Sequence, residues 1–91
     1  MKGIPEKAMT KVARRICRKH RVLPLTVSRA TLGGKMMVGN FILMPPPSPK
    51  MVRRLRNALP EMKKKLERTA ICCEWRGGLD FQDLELFMAG K

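Results

Sequence analysis

Acids, aromatics and histidine are all scarce in this chain. Seven of its 91 residues are Asp or Glu, against 20 Lys or Arg, which leaves a formal net charge of +13. The aromatic residues are Phe41, Trp75, Phe81 and Phe87, with no Tyr, so methionine, leucine and valine must fill the core. The one histidine, His20, sits among bases and is accompanied by no Cys-x-x-Cys or His-x-x-x-His pair, so no metal site is expected. The cysteines, Cys17, Cys72 and Cys73, are odd in number. Adjacent cysteines in a strand point to opposite faces and do not bridge, so reduced thiols and a cytoplasmic setting are expected. No apolar run reaches the roughly 18 residues that a membrane span requires, and no apolar stretch near the start resembles a secretory signal. The basic start could suit an organellar leader, but Glu6, few serines and direct continuation into a strand-like segment argue against one. The G-x-x-x-x-G-K-[ST] loop that cradles nucleotide phosphates is missing, because Gly33-Gly34-Lys35 lacks both the leading glycine and the hydroxyl residue.

What is present is positive charge, and it is sorted along the chain. Residues 1–68 carry 18 of the 20 bases and three acids, Glu6, Glu61 and Glu67, a sum of +15. Residues 69–91 carry Arg76 and Lys91 against Glu74, Asp80, Asp83 and Glu85, a sum of −2. So large an excess of one sign repels itself, and such a surface is suited to a polyanion. Nucleic acid is the leading candidate, since each phosphate neutralised also releases counterions. An acidic protein or membrane surface, or a solvated face with no ligand, are the alternatives. With 44% hydrophobic residues the chain has too much apolar content for a disordered basic tail, and the length fits a single domain, residues 1–91, with its core over about 5–87.

Pro5 suits a first helical turn, and Ala8, Met9, Val12, Ala13 and Ile16 then recur on one helical face, predicting a helix over 5–20. Val22 to Thr31 alternates as a strand, with Pro24 demoting its start; Gly33-Gly34 marks a turn; and Met36 to Met44 reads as a second, buried strand. Pro45 to Pro49 ends regular pairing and connects stiffly to a helix. Met51, Leu55, Ala58, Met62 and Leu66 form one helical stripe, but Pro60 removes a backbone donor, so two pieces are expected, about 49–58 and 60–67, with Glu61 at the start of the second. Thr69 to Arg76 reads as a third strand, Gly77-Gly78 as a turn, and Leu79 to Phe87 as a fourth strand, most regular over 83–87. The expected fold class is therefore α+β, in the order α-β-β-α-β-β. It is a two-layer sandwich of a four-stranded, largely antiparallel sheet with both helices on one face.

No paired carboxylates, nucleophile–base pair or cofactor motif stands out, so neither an enzyme nor a cofactor is expected. The order of elements also differs from that of a double-stranded RNA domain or an RRM, and a KH domain's G-x-x-G loop is missing. The candidate phosphate-binding residues are Arg14, Arg15, Arg18 and Lys19 on the first helix and Arg53, Arg54, Arg56, Lys63, Lys64 and Lys65 on the second helical segment. The Lys63-Lys64-Lys65 run, with Arg53, Arg54 and Arg56, is expected to form the main surface. A protein-interaction module docking on an acidic partner is the alternative function.

From about Val12 to Phe87 the sequence resembles the small alpha domain of FtsK/SpoIIIE-type DNA translocases. Gly39 to Leu43 is similar to that family's glycine-led strand and Pro45-Pro46-Pro47 to its proline-rich segment. Lys50, Val52 and Leu55, then Asn57, Glu61, Met62 and Leu66, keep the spacing of its helix, and Ile71 to Cys73, Gly77-Gly78 and Leu84-Glu85-Leu86 follow in order. The chain departs from the pattern at Asn40, at Pro60-Glu61, and at Lys63 and Lys65. The resemblance implies a two-layer domain associated with DNA and with ring assembly, hence a homo-oligomer, and implies no ATP hydrolysis.

Overall fold

The computed structural model describes residues 5–29, 34–39 and 45–90. Its elements are α1 (Pro5–His20), β1 (Val27–Arg29), β2 (Met36–Val38), α2 (Pro49–Cys72), β3 (Leu79–Asp80) and α3 (Gln82–Met88). α1 has the bounds its periodicity predicts and buries Met9, Ala13, Ile16 and Cys17. The ends expected for the first two strands, at Ala30–Thr31 and Asn40–Met44, and the first glycine of the turn, Gly33, lie outside the described residues.

The expected four-stranded antiparallel sheet is not formed. The described residues hold a three-stranded mixed sheet in the order β1-β2-β3, and three helices. β1 pairs antiparallel with β2, Val27 opposite Val38, and β2 pairs parallel with β3, Met36 opposite Leu79. β2, α2 and β3 thus make a βαβ crossover, the connection that parallel neighbours require. α1 packs on both α2 and β1, and α3 packs on β2.

Two segments account for the difference. Pro60 does not break α2, which runs unbroken for 24 residues. The stripe of Leu55, Ala58, Met62 and Leu66 continues one turn further to Ala70, and all five are buried. Burying each large apolar side chain is worth about 1.5–3 kcal/mol, so together they exceed the roughly 3 kcal/mol that an interior proline costs. Pro60 itself is exposed, where water can reach the carbonyl it leaves without a donor. The same stripe carries Thr69–Cys72 into the helix instead of a third strand. In the expected fourth strand the alternation of Leu84, Leu86 and Phe87 is ambiguous. The chain resolves it as α3, burying Leu84 and Phe87 three residues apart and leaving Leu86 exposed. The Asp80 Oδ1 accepts the Gln82 N–H at 2.8 Å and helps to start that turn.

The ends of the long helices are specified locally. Ser48 caps α2, accepting the Met51 N–H at 3.2 Å, and Pro49 occupies the first turn. Both α1 and α2 close with the paired bonds of a Schellman motif. Val22 N–H reaches the Cys17 carbonyl at 3.0 Å and Arg21 N–H the Arg18 carbonyl at 3.3 Å. Trp75 N–H reaches Ala70 at 2.8 Å and Glu74 N–H reaches Ile71 at 3.0 Å. The left-handed positions are filled by Arg21 (φ 57°) and Glu74 (φ 58°), not glycine.

The strain at Arg21 is removable. An L-residue there gives up about 1–2 kcal/mol, partly offset by the extra freedom that glycine has when unfolded. Arg21→Gly is therefore expected to raise stability by about 0.5–1 kcal/mol in denaturant titration, whereas Arg21→Ala leaves it within error. Leu55, 1% exposed at the centre of the stripe, sets the opposite expectation. Leu55→Ala lowers stability by about 2–4 kcal/mol, and an unchanged melting temperature would contradict the packing described.

Candidate nucleic-acid interface

The outer face of α1 is a basic ridge. Lys7, Lys11, Arg14 and Arg18 follow at intervals of four, three and four residues, with Arg15 beside them, and all five are exposed. Together with Glu6, Thr10 and Val27 they line a shallow groove of about 580 Å³. Thr10 fixes the helix against the sheet edge. Its hydroxyl accepts the Val27 N–H at 2.9 Å and donates to the Val27 carbonyl at 3.1 Å, satisfying the backbone of the outer strand. Glu6, the one acid of the groove, is tied to Arg29 at 3.3 Å. The five ridge bases make no ion pair among the described residues. At 1.5 Å rise per residue the row from Lys7 to Arg18 is about 16 Å long, or roughly five phosphates along one strand of a duplex.

The basic residues of α2 are divided among several places. Lys63 turns towards α3, 3.7 Å from Glu85 and 5.4 Å from the Phe81 ring centre. Lys65 pairs with Glu61 one turn earlier, at 3.1 Å. Lys64 is exposed and lines a smaller pocket with Pro60, Arg68 and Lys65. Arg53 and Arg56 line a groove of about 530 Å³ with Pro47, Asn57 and Met88. Arg54 donates to the Arg21 carbonyl at 3.2 Å, joining α2 to the end of α1. Of the ten candidates, Arg14, Arg15 and Arg18 are brought together, Lys19 stands at the end of their helix, and the six on α2 do not share one surface.

A carboxylate is central to the joint between the helices. Glu61 lies mid-helix, not at a helix start, and accepts hydrogen bonds from the Lys19 ammonium at 3.1 Å and from Lys65 at 3.1 Å. The His20 Nε2 lies 3.0 Å from its other oxygen. The bonds from His20, Lys65 and Lys19 hold the Glu61 carboxyl at about 2, well below its ordinary 4.5. Glu61 and His20 were not distinguishable as partners in sequence, 41 residues apart. Lys7, Lys11 and Thr10, which share the groove, are not among the residues expected from sequence to bind phosphate.

The chemistry on offer is electrostatic. Burial raises the pKa of the Cys17 thiol, which makes it a poor nucleophile. Cys72 is exposed and Cys73 half-buried at the end of α2, and all three cysteines are free. Among the described residues no three His, Cys, Asp or Glu are placed to hold a metal ion, and no helix is long and apolar enough to cross a membrane. Comparison with protein-family models finds no match, and comparisons with curated proteins and with solved structures find none either.

The Glu61 joint has a defined pH dependence. A carboxyl whose pKa is lowered by folding contributes stability that is complete above its unfolded value, near 4.5, and is lost as pH falls towards 2. Thermal melts of the native chain are expected to show that loss between pH 4.5 and 2, reduced by high salt because the carboxylate is accessible to solvent. Glu61→Gln removes the Glu61 share of the slope; identical slopes in both proteins would mean the joint contributes nothing.

Proposed function

We propose that this chain is a nucleic-acid-binding module that holds duplex DNA by its phosphates, with little preference for sequence, along the outer face of α1. The observation that carries the reading is the Lys7–Arg18 ridge. Five exposed bases line one groove, without ion pairs among the described residues, on a chain of net charge +13. Guanidinium and ammonium groups in a row neutralise phosphates and release counterions whatever the base sequence. The outer face of α1 offers no Asn or Gln for reading adenine edges. The resemblance to the translocase alpha domain favours duplex DNA over RNA as the polyanion.

Mobility-shift titration over a range of salt tests this. About five phosphate contacts give a slope of log K against log salt of roughly −4 to −5. Changing Lys7, Lys11 and Arg14 together to Gln keeps helix propensity nearly constant. At about 0.5–1 kcal/mol per contact it is expected to weaken binding roughly tenfold or more. The matched change of Lys63, Lys64 and Lys65 is expected to weaken it less, since Lys63 and Lys65 already have acidic partners. A flat slope, or equal losses from the two triple variants, contradicts the α1 reading. A pull-down partner that survives nuclease treatment points to an acidic protein in place of DNA.

A further inference from the structure

Arg53 and Arg56 lie in the second turn of α2, both exposed, and neither makes an ion pair among the described residues. Three positions apart on a helix, they are surface neighbours, and Asn57 lies one turn on from Arg53. All three line the groove of about 530 Å³ between the start of α2 and the end of α3. The groove is otherwise apolar. Pro47, Pro49 and Val52 line it from the α2 side and Met88 from the α3 side, and no acid contributes to the lining. Met88 is half-buried and packs against the core, so the apolar part of the groove is continuous with the interior.

We propose that this groove docks an acidic peptide segment of a partner protein, in which an aliphatic side chain is flanked by carboxylates. Charge complementarity chooses the occupant. The charged lining is two guanidiniums with no acid, so the ligand must be anionic, and a second copy of a +13 chain is disfavoured. A guanidinium fork matches a carboxylate through two parallel bonds. Because Arg53 and Arg56 hold no carboxylate among the described residues, a ligand's carboxylate displaces none. The apolar part decides between anions. No aromatic residue lines the groove, so a nucleobase finds no ring to stack on, and bare phosphates gain nothing from Pro47, Val52 or Met88. A leucine or isoleucine side chain gains from all three, and methionine adapts its shape to the occupant. The Asn57 amide can both donate to and accept from a peptide backbone. The groove shares no residue with the α1 groove, so the peptide is a ligand in addition to DNA, and the inference does not depend on the proposed DNA binding.

The test is fluorescence anisotropy of a labelled synthetic peptide with a leucine flanked by glutamates, titrated with nuclease-treated protein. Changing Arg53 and Arg56 together to Gln is expected to weaken binding roughly tenfold, while circular dichroism and melting temperature stay near native because both side chains are exposed and unpaired among the described residues. The variant in which Lys7, Lys11 and Arg14 are Gln is expected to bind the peptide nearly as well as the native chain. Replacing the peptide's leucine with serine is expected to cost about tenfold or more, since the aliphatic side chain then leaves the groove empty; replacing its glutamates with glutamine is expected to abolish binding. No binding, binding indifferent to the leucine, or a loss confined to the Lys7, Lys11 and Arg14 variant overturns the proposal, because the peptide is then at most a polyanion held elsewhere. So does an Arg53 and Arg56 variant that keeps the peptide and loses duplex DNA, which assigns the groove to phosphates. Duplex binding by the Lys7, Lys11 and Arg14 variant is measured separately and judges the α1 reading alone.

Discussion

The fold depends on one constraint, the requirement that Leu55, Ala58, Met62, Leu66 and Ala70 be buried along one side of a single helix. Only an unbroken α2 keeps all five on one line, so the helix tolerates an exposed proline in its middle. An unbroken α2 also extends the connection from β2 to the next strand to a length that returns the chain parallel, so β3 adds beside β2 and not as half of a hairpin. With Thr69–Cys72 consumed by the helix, too few residues remain for a second hairpin, and Leu79–Met88 is left to form a two-residue strand and a short helix.

The stripe also sets the electrostatic arrangement. Packing α1 on α2 brings together the two most basic elements of the chain, an arrangement that Coulomb repulsion opposes. Glu61 is placed at that junction, where one carboxylate meets Lys19, His20 and Lys65. Each of these contacts is accessible to solvent and weak alone. Their effect is to fix where the end of α1 sits, assisted by the Arg54 bond to the Arg21 carbonyl. Once the end is fixed there, the outer side of α1 faces away from α2, and its bases share a groove with the edge of β1 instead of competing for the same acid.

What could be read in the sequence divides along the range of the forces involved. α1 was legible because its apolar spacing, starting proline and charged back all agree. The stripe of α2 was legible for the same reason, and so was its burial. Pro60 misled because local propensity and long-range packing pull in opposite directions there, and a proline's cost is visible in sequence while Ala70's burial is not. In Thr69–Arg76 the β-branched and aromatic residues favoured a strand, yet Ala70 extends the helical period. Over 83–87 five residues are too few to separate a period of two from one of 3.6. At the candidate site, the basic helix faces were legible as faces. Which bases find acids was not, since the pairs Lys19–Glu61, Arg29–Glu6 and Lys63–Glu85 span 42, 23 and 22 positions and exist only once the elements pack together.

That difference changes which bases count. A lysine already held by a carboxylate must leave it before it can serve a phosphate, so the gain on binding is the difference between two ion pairs, not the worth of one. Lys63 and Lys65 are in that position, whereas the ridge bases of α1 make no ion pair among the described residues. The ridge also has more to gain from a polyanion, because Lys7, Lys11, Arg14, Arg15 and Arg18 crowd one groove whose single acid is tied to Arg29. Like charges held together by folding raise the free energy of the native chain, and a polyanion that relieves them binds the folded form in preference to the unfolded one. Stability and ligand binding are then coupled through the same side chains. In the proposed complex, self-repulsion that weakens the free domain would become part of what favours binding.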